Sequence, residues 1–196
     1  MVVVATPDDA ISEVAAALPR TSAAVVHLAG SRGLDELGDH ERVGALHPLV
    51  SLPDAEIGAT RLRGAWFAIA GDRVVGQIVA VLGGRAFSIG DADRSAYHAA
   101  AVIASNHLVA LLGDAKSVAD DVGVPFEALL DLAEGSLANV RALGPAAALT
   151  GPASRGDEAT VRRHLAALNS DQRDGYRSLA AAARRLAGRP QPQEEG

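Results

Sequence analysis

The chain opens on Met1-Val2-Val3-Val4-Ala5 and passes directly into Thr6-Pro7-Asp8-Asp9, an apolar run followed by a turn and a helix start. An unbroken Val run is the pattern of a parallel strand covered on both faces, since a strand with one wet face alternates instead. Such a start constrains the chain to an α/β domain, with helices on both sides of the sheet. Predicted strands at Val2–Ala5, Ala24–Leu28, Val43–Leu46, Trp66–Ala70 and Arg85–Ile89 alternate with predicted helices over Asp8–Leu18, around Leu34–Leu37 and over Arg73–Leu82. The stretch between Leu46 and Trp66 reads as a loop. This alternation predicts a parallel or mixed sheet over residues 1–90.

From Asp91 onward the pattern changes, and every later segment reads as helix. Asp91 or Asp93 can cap a helix that runs through Tyr97, Val102, Leu108 and Leu112 to about Asp121, where Gly123 ends it. At 1.5 Å per residue that helix is on the order of 45 Å long, longer than one small core, which predicts packing against a second subunit. Pro125 suits the first turn of a helix reaching Leu143, Gly144-Pro145 breaks it, Asp157 caps a helix to Leu168, and Asp171 caps a last one to Leu186. The expected organisation is a sheet domain over 1–90, a helical domain over 91–188 and a disordered tail over 189–196, where Pro190, Pro192 and two Glu gather.

Composition excludes several function classes. Seventeen of the 18 basic residues are Arg, they form no block, and the net charge is −6, so nucleic acid and anionic membrane surfaces are not expected partners. The chain has no Cys, which removes disulfides and thiolate chemistry. No secretory leader and no apolar run of membrane-spanning length is read in it, so a cytoplasmic location is expected. Metal-ligand spacings and a GxSxG elbow are absent as well.

Ligands of open α/β sheets bind at the carboxyl ends of the strands, and three segments fall there. Thr6-Pro7-Asp8 follows the first strand, where Asp8 either caps the helix or faces a ligand. Gly30-Ser31-Arg32-Gly33 follows the second, where small residues admit a ligand to the backbone and Arg32 could meet a phosphate. His47 follows the third and could exchange a proton near neutral pH, or could simply bond nearby backbone. On the long helix, a 100° step puts His98 and Ser105 within about 20° of each other and Asn106 about 80° to the other side of His98. These three either line a cleft or satisfy one another in the core. In the loop from Leu149 to Asp157, Thr150 and Arg155 stand before a helix N-terminus that favours an anionic ligand group. His164 lies on the apolar stripe with Val161, Leu165 and Leu168 and reads as a core or interface histidine.

Five co-linear motifs carry a resemblance: Val2-Val-Val-Ala-Thr-Pro-Asp-Asp-Ala-Ile11, Val26-His-Leu-Ala-Gly-Ser31, Gly44-Ala-Leu-His-Pro-Leu49, Tyr97-His-Ala-Ala-Ala-Val-Ile-Ala-Ser-Asn106, and Leu149-Thr-Gly-Pro-Ala-Ser-Arg-Gly-Asp157 with Thr160 and His164. In this order the chain resembles the Rossmann-like proteins that carry a C-terminal helical domain of unknown function, number 2520. Their architecture is similar to that of ketopantoate reductase, pyrroline-5-carboxylate reductase and the 6-phosphogluconate dehydrogenase superfamily.

The resemblance implies a partial Rossmann-like sheet domain followed by an all-α helical domain of the 6-phosphogluconate dehydrogenase C-terminal type. It also implies NADP or NAD as cofactor and a homodimer. By the same analogy Thr6, Pro7, Asp8, Gly30 and Ser31 flank the nicotinamide. His98, His47, Ser105 and Asn106 face a small-molecule substrate, with Thr150 and Arg155 closing over it. The expected activity is hydride transfer between nicotinamide and a small carbonyl or imine compound, with His98 or His47 as proton donor. The family's opening strand and GxGxxG turn, which cradle the pyrophosphate, are missing from this sequence. The chain then reads either as a late-start form or as a fragment that binds dinucleotide poorly. The rival expectations are a dimerising interaction protein and a small-molecule-binding module built on the Arg155 loop, both without redox chemistry.

Overall fold

The computed structural model describes residues 1–190. Its first part comprises β1 (Val2–Val4), α1 (Ile11–Ala17), β2 (Val25–His27), β3 (Val43–Pro48), α2 (Ala55–Leu62), β4 (Trp66–Gly71), α3 (Val74–Val81) and β5 (Arg85–Ser88). The sheet order is β1-β2-β3-β4-β5. The first three strands are parallel, β4 runs antiparallel to β3, and β5 runs parallel to β4, so the sheet is mixed.

Register divides the side chains between two faces. Val4, His27, Ala45 and Ala70 form one row across the sheet, and His47, Ala68 and Phe87 form the next row on the same face, because residues two apart on a strand point the same way. The opposite face carries Val26, Leu46 and Phe67, which pack with Val75 and Val79 of α3. On the first face Val4 and Val25 pack with Ile11 and Ala15 of α1 and with Leu37. Toward the carboxyl ends of β2 and β3 this first face turns polar at His27 and His47. Its neighbours Ala45 and Ala68 are small, which leaves room for groups from outside the sheet.

Every element after β5 is helical: α4 (Arg94–Val102), a π-helical turn at Ile103–His107, α5 (Leu108–Val122), α6 (Phe126–Leu143), α7 (Pro145–Ala148), α8 (Pro152–Arg155), α9 (Glu158–Ala167) and α10 (Ser170–Leu186). The chain divides into two compact units, Met1–Leu108 and the remainder from Val109 on, so α4 and the π turn belong to the sheet unit. Within the helical unit a buried Arg184 grips Glu158 through Nε and Nη2, tying α10 to α9. Gly123 adopts φ +72° just past α5, a conformation that suits a residue without Cβ. In contrast, α6 has no buried residue.

Several local expectations are corrected. The predicted loop after β3 contains α2, capped by Asp54, whose carboxylate accepts the Ile57 N–H at 2.8 Å. The last helix starts at Ser170 under a capping box made by Asn169 and Gln172, so Asp171 lies inside its first turn and does not cap it. The loop before Asp157 holds the short helix α8. The helix Asp91–Val122 does contain a stretch long and apolar enough, by length and composition, to cross a membrane, contrary to the reading of its sequence. Of the tail over 189–196, residues 191–196 lie outside the described residues; Arg189 donates from its backbone to Arg184 O at 2.9 Å and from its guanidinium to Ser154 O.

Candidate functional site

The carboxyl ends of β1, β2 and β3 lie side by side, and the turns that leave them are bonded together. Ser31 Oγ donates to Asp8 Oδ2 at 3.0 Å. Asp8 therefore links the turn after β1 to the turn after β2; it makes no capping bond to the helix, contrary to the capping expectation. Thr6 Oγ1 is buried without a hydrogen-bond partner. Gly30 is buried at the point where the helix meets the sheet: a Cβ there would stand 2.7 Å from His98 Nδ1 and 2.9 Å from the His47 ring. Only a residue without a side chain lets the two imidazoles approach the backbone this closely.

His47 belongs to β3 itself, one residue before its end, where the sequence suggests a loop. Its Nδ1 lies 2.6 Å from the Tyr97 hydroxyl, and the two rings meet edge to face at 5.6 Å. The His98 ring is 5.9 Å from the His47 ring. From the sequence Tyr97 reads as an apolar helix residue; its hydroxyl is nevertheless the partner of His47. Beside this cluster opens a cavity of about 510 Å³, lined by His47, Tyr97, His98, Phe87, Ser105 and Asn106 among others. All of them lie in the sheet unit.

The 100° count that groups His98, Ser105 and Asn106 holds only through Val102, because the π turn that follows advances the backbone differently. Ser105 and Asn106 line the cavity all the same. The Ser105 hydroxyl lies within donating distance of Ala101 O, at 2.7 Å, and of Asn106 Oδ1, at 3.0 Å. With Oδ1 accepting, the Asn106 amide keeps its two N–H donors for a ligand. A π turn inside an α-helix recurs at functional sites, where it re-aims side chains.

Electrostatics sort the polar groups. Burial, reinforced by the nearby His98, lowers the His47 pKa to about 4, so its imidazole is neutral at pH 7. Burial raises the Tyr97 pKa, so the phenol keeps its proton. His27 is a site residue that the sequence does not single out. Fully buried at the end of β2, it accepts the Ala29 N–H on Nδ1 at 3.2 Å; its Nε2–H then donates to Gly33 O at 3.1 Å. Burial and then the Arg94 charge lower its pKa. It holds the Gly30-Ser31 turn from both sides as a neutral ring. Arg94 is buried with 1% exposure and gives Nε to Asp91 Oδ1 at 3.0 Å, while Asp91 Oδ2 accepts the Leu34 N–H at 3.0 Å. The available signals for these residues are sequence intervals: Arg94 precedes His98 by one helical turn, and His27 precedes Gly30 by three residues.

Other expected residues lie apart from this cluster or serve locally. Arg32 pairs with Glu36 at 3.1 Å. Pro7 sits in the exposed turn after β1. Thr150 and Arg155 are exposed residues of the helical unit, and Asp157 caps α9 by accepting the Thr160 N–H at 3.0 Å. His164 is exposed, not buried on a core stripe, and pairs with Tyr176. Among the described residues no cluster of His, Asp or Glu could hold a metal ion.

The fold has counterparts among known proteins. The model of a domain of unknown function, DUF2520, matches residues 67–183. Protein TM1727 from Thermotoga maritima is 28% identical over 95% of this chain and 77% of its own, with a TM-score of 0.77. BF3122 from Bacteroides fragilis, provisionally assigned as an NADP oxidoreductase, is 24% identical over 95% of this chain and 74% of its own, with a TM-score of 0.78. Plasmodium falciparum pyrroline carboxylate reductase with NADP bound is 10% identical over 94% of this chain and 77% of its own, with a TM-score of 0.58. The last two likenesses show a shared Rossmann-like reductase fold. No curated protein matches the chain.

Proposed function

The chain belongs to the DUF2520 family, and from that premise we propose that it is a nicotinamide-dependent oxidoreductase acting on a small carbonyl or imine compound. One observation carries the reading: His47, Tyr97, His98, Ser105 and Asn106 line one cavity beside Gly30, at the strand edge where α/β sheets take their ligands. The residues present fit the nicotinamide end of NADP or NAD. Thr6 offers an unpartnered buried hydroxyl there, and the Asp8–Ser31 bond holds the two flanking turns together. Thr6, Asp8, Gly30 and Ser31 would hold the ring, with Pro7 in the exposed turn beside them.

Bound nicotinamide would supply or accept the hydride. The chain's own groups must then move one proton at the substrate's oxygen or nitrogen and orient that atom. His98 is the assigned proton donor, because its Nδ1 is committed to nothing else in the fold. His47, neutral at pH 7, bonds Tyr97 and fixes the wall opposite. Asn106, which also lines the cavity, offers its amide donors to the same substrate atom. A homodimer completes the proposal, with the unburied α6 covered by a second copy. Lipid is the poorer cover for the apolar run of Asp91–Val122, since that helix carries His98, Ser105, Asn106 and His107. The proposed location is the cytoplasm.

The test is titration of the purified chain with NADPH, followed by nicotinamide fluorescence and then by NADPH oxidation with small ketones, aldehydes and cyclic imines. Saturable binding is expected, and His98→Ala should cut turnover by about 10²–10⁴-fold while leaving NADPH binding in place. Failure to bind NADPH would leave the interaction-protein reading in its place.

A further inference from the structure

The described residues contain four buried side-chain polar atoms without a hydrogen-bond partner: Thr6 Oγ1, Arg94 Nη1, Arg94 Nη2 and His98 Nδ1. All belong to the sheet unit and to its polar end. Thr6 leaves the carboxyl end of β1, and Arg94 and His98 stand one turn apart on the same face of the helix that meets it. The proposed hydride transfer uses His98 and Thr6; it gives Arg94 no role.

Arg94 is the most demanding of the three. It is the largest side chain with under 2% exposure, and Asp91 answers only its Nε. The second oxygen of Asp91 is turned to the Leu34 backbone. A buried guanidinium with two of its three nitrogens unanswered is costly, and buried polar groups left open in a fold call for an explanation. Its Nη pair is a planar fork that matches the two oxygens of a carboxylate. The surrounding charges favour a single negative charge over two, because Asp91 and Asp8 already stand near and His47 and His27 are neutral.

We propose that Arg94 is the receptor for a carboxylate on the substrate, so that the carbonyl or imine compound reduced at this site is an acid, held by its carboxylate at Arg94 and presented to His98 one helical turn away. Arg94 is not itself among the residues lining the cavity; Tyr97 and His98, three and four residues after it, are, so the carboxylate must reach the buried Nη pair past these two side chains. This substrate class rests on the oxidoreductase reading above, but the anion site can be tested without cofactor.

The experiment compares pyruvate with butane-2,3-dione, an uncharged diketone of the same heavy-atom count, by calorimetry and by imidazole NMR on the full chain. Pyruvate should bind at least about tenfold more tightly than the dione, as expected for charge-assisted hydrogen bonds. Arg94→Gln should weaken pyruvate by about ten- to a hundredfold and leave the dione unchanged, and Arg94→Lys should recover part of the loss. In the unmodified chain, pyruvate should also raise the His47 titration, because it neutralises the Arg94 charge among the groups facing that ring, which are His98, Asp8, Arg94 and His27. That last readout needs no variant and decides the matter if Arg94→Gln does not fold. Equal affinity for pyruvate and dione, an unmoved His47, or inorganic phosphate binding in preference to pyruvate would overturn the assignment. A chain that ignores NADPH yet selects pyruvate keeps the carboxylate site and loses the redox reading; one that binds NADPH and treats pyruvate and dione alike does the reverse.

Discussion

The molecule contains the same small device twice. His47 and Tyr97 in the sheet unit meet at 2.6 Å with rings 5.6 Å apart and 82° between planes; His164 and Tyr176 in the helical unit meet at 2.6 Å with rings 5.7 Å apart and 86° between planes. Geometry does not distinguish them. Surroundings do: the first pair lines a cavity with His98 and Phe87 packed beside it, and its imidazole is held neutral by burial, whereas in the second pair, which bridges α9 and α10, the imidazole is exposed and only the phenol is half-buried. The contrast extends to the two units. Both clusters of buried apolar side chains belong to the sheet unit, while the helical unit exposes Leu132 at 67%, Leu137 at 54% and Leu143 at 60%. The sheet unit is built around its own core, although it too exposes Val81 at 87% and Ile103 at 62%; the helical unit buries Ala119, Val161 and Ala180 and exposes a longer series of Leu side chains.

The largest effect should come from striking that difference directly. Phe67 is 1% exposed and packs in the core beneath α3, so Phe67→Ala should destabilise the sheet unit by about 3–5 kcal/mol in chemical denaturation. Leu132→Ala should shift the stability of the dilute chain by less than about 0.5 kcal/mol, as exposed positions do. The same Leu132→Ala should lower the population of the proposed homodimer in light scattering at high concentration. A large stability loss from Leu132→Ala in dilute monomer would show that the helical unit carries a core of its own there.

The sheet unit is readable from its sequence and the cavity is half readable, for a physical reason. Each of the five strands lies within a residue or two of its expected place, and even the turn at Leu34–Leu37 is where the apolar spacing puts it; the Val run of β1, however, is not covered on both faces as expected, since β1 is an edge strand and Val3 is 44% exposed. The 55–62 helix is hidden because Gly58 and two Thr or Arg neighbours give it little apolar periodicity, and its Asp54 cap is a single residue. His47, His98, Ser105 and Asn106 stand out as polar groups at strand ends or on an apolar helix. The partnership of His47 with Tyr97 and the two-sided hold of His27 on its turn depend on residues 50 positions and six positions apart being folded together. The π turn that brings Asn106 to the cavity leaves no mark in residue type, because a π insertion is an outcome of packing and not of side-chain preference.

A smaller effect follows from the neutral histidines. The folded pKa of His47, about 4, and that of His27 both lie below the ordinary value of 6.5, so the unfolded chain binds more protons than the folded one as pH falls below 6.5. Stability from these rings is therefore fully present above about pH 6.5 and is lost progressively as pH falls toward the folded values, reaching pH 4 for His47. Allowing for solvent screening at a partly exposed ring, the His47 share should be about 1–2 kcal/mol. Denaturation series at pH 7 and pH 4.5 measure it, and His47→Gln should flatten the slope. An unchanged slope would place the acid sensitivity elsewhere in the molecule.

The smallest effect separates the twin pairs themselves. Tyr97→Phe removes a hydrogen bond from a partly buried imidazole and should cost about 1 kcal/mol, whereas Tyr176→Phe removes one that water can replace and should cost less than about 0.5 kcal/mol. Two-dimensional imidazole spectra give a second reading, since each ring's nitrogen shifts report the loss of its own phenol. If the twin geometry were the whole story the two variants would match. A larger cost at Tyr176 than at Tyr97 would mean that the exposed face of the helical unit is the more tightly organised of the two, and that burial around His47 is not what gives the first pair its character.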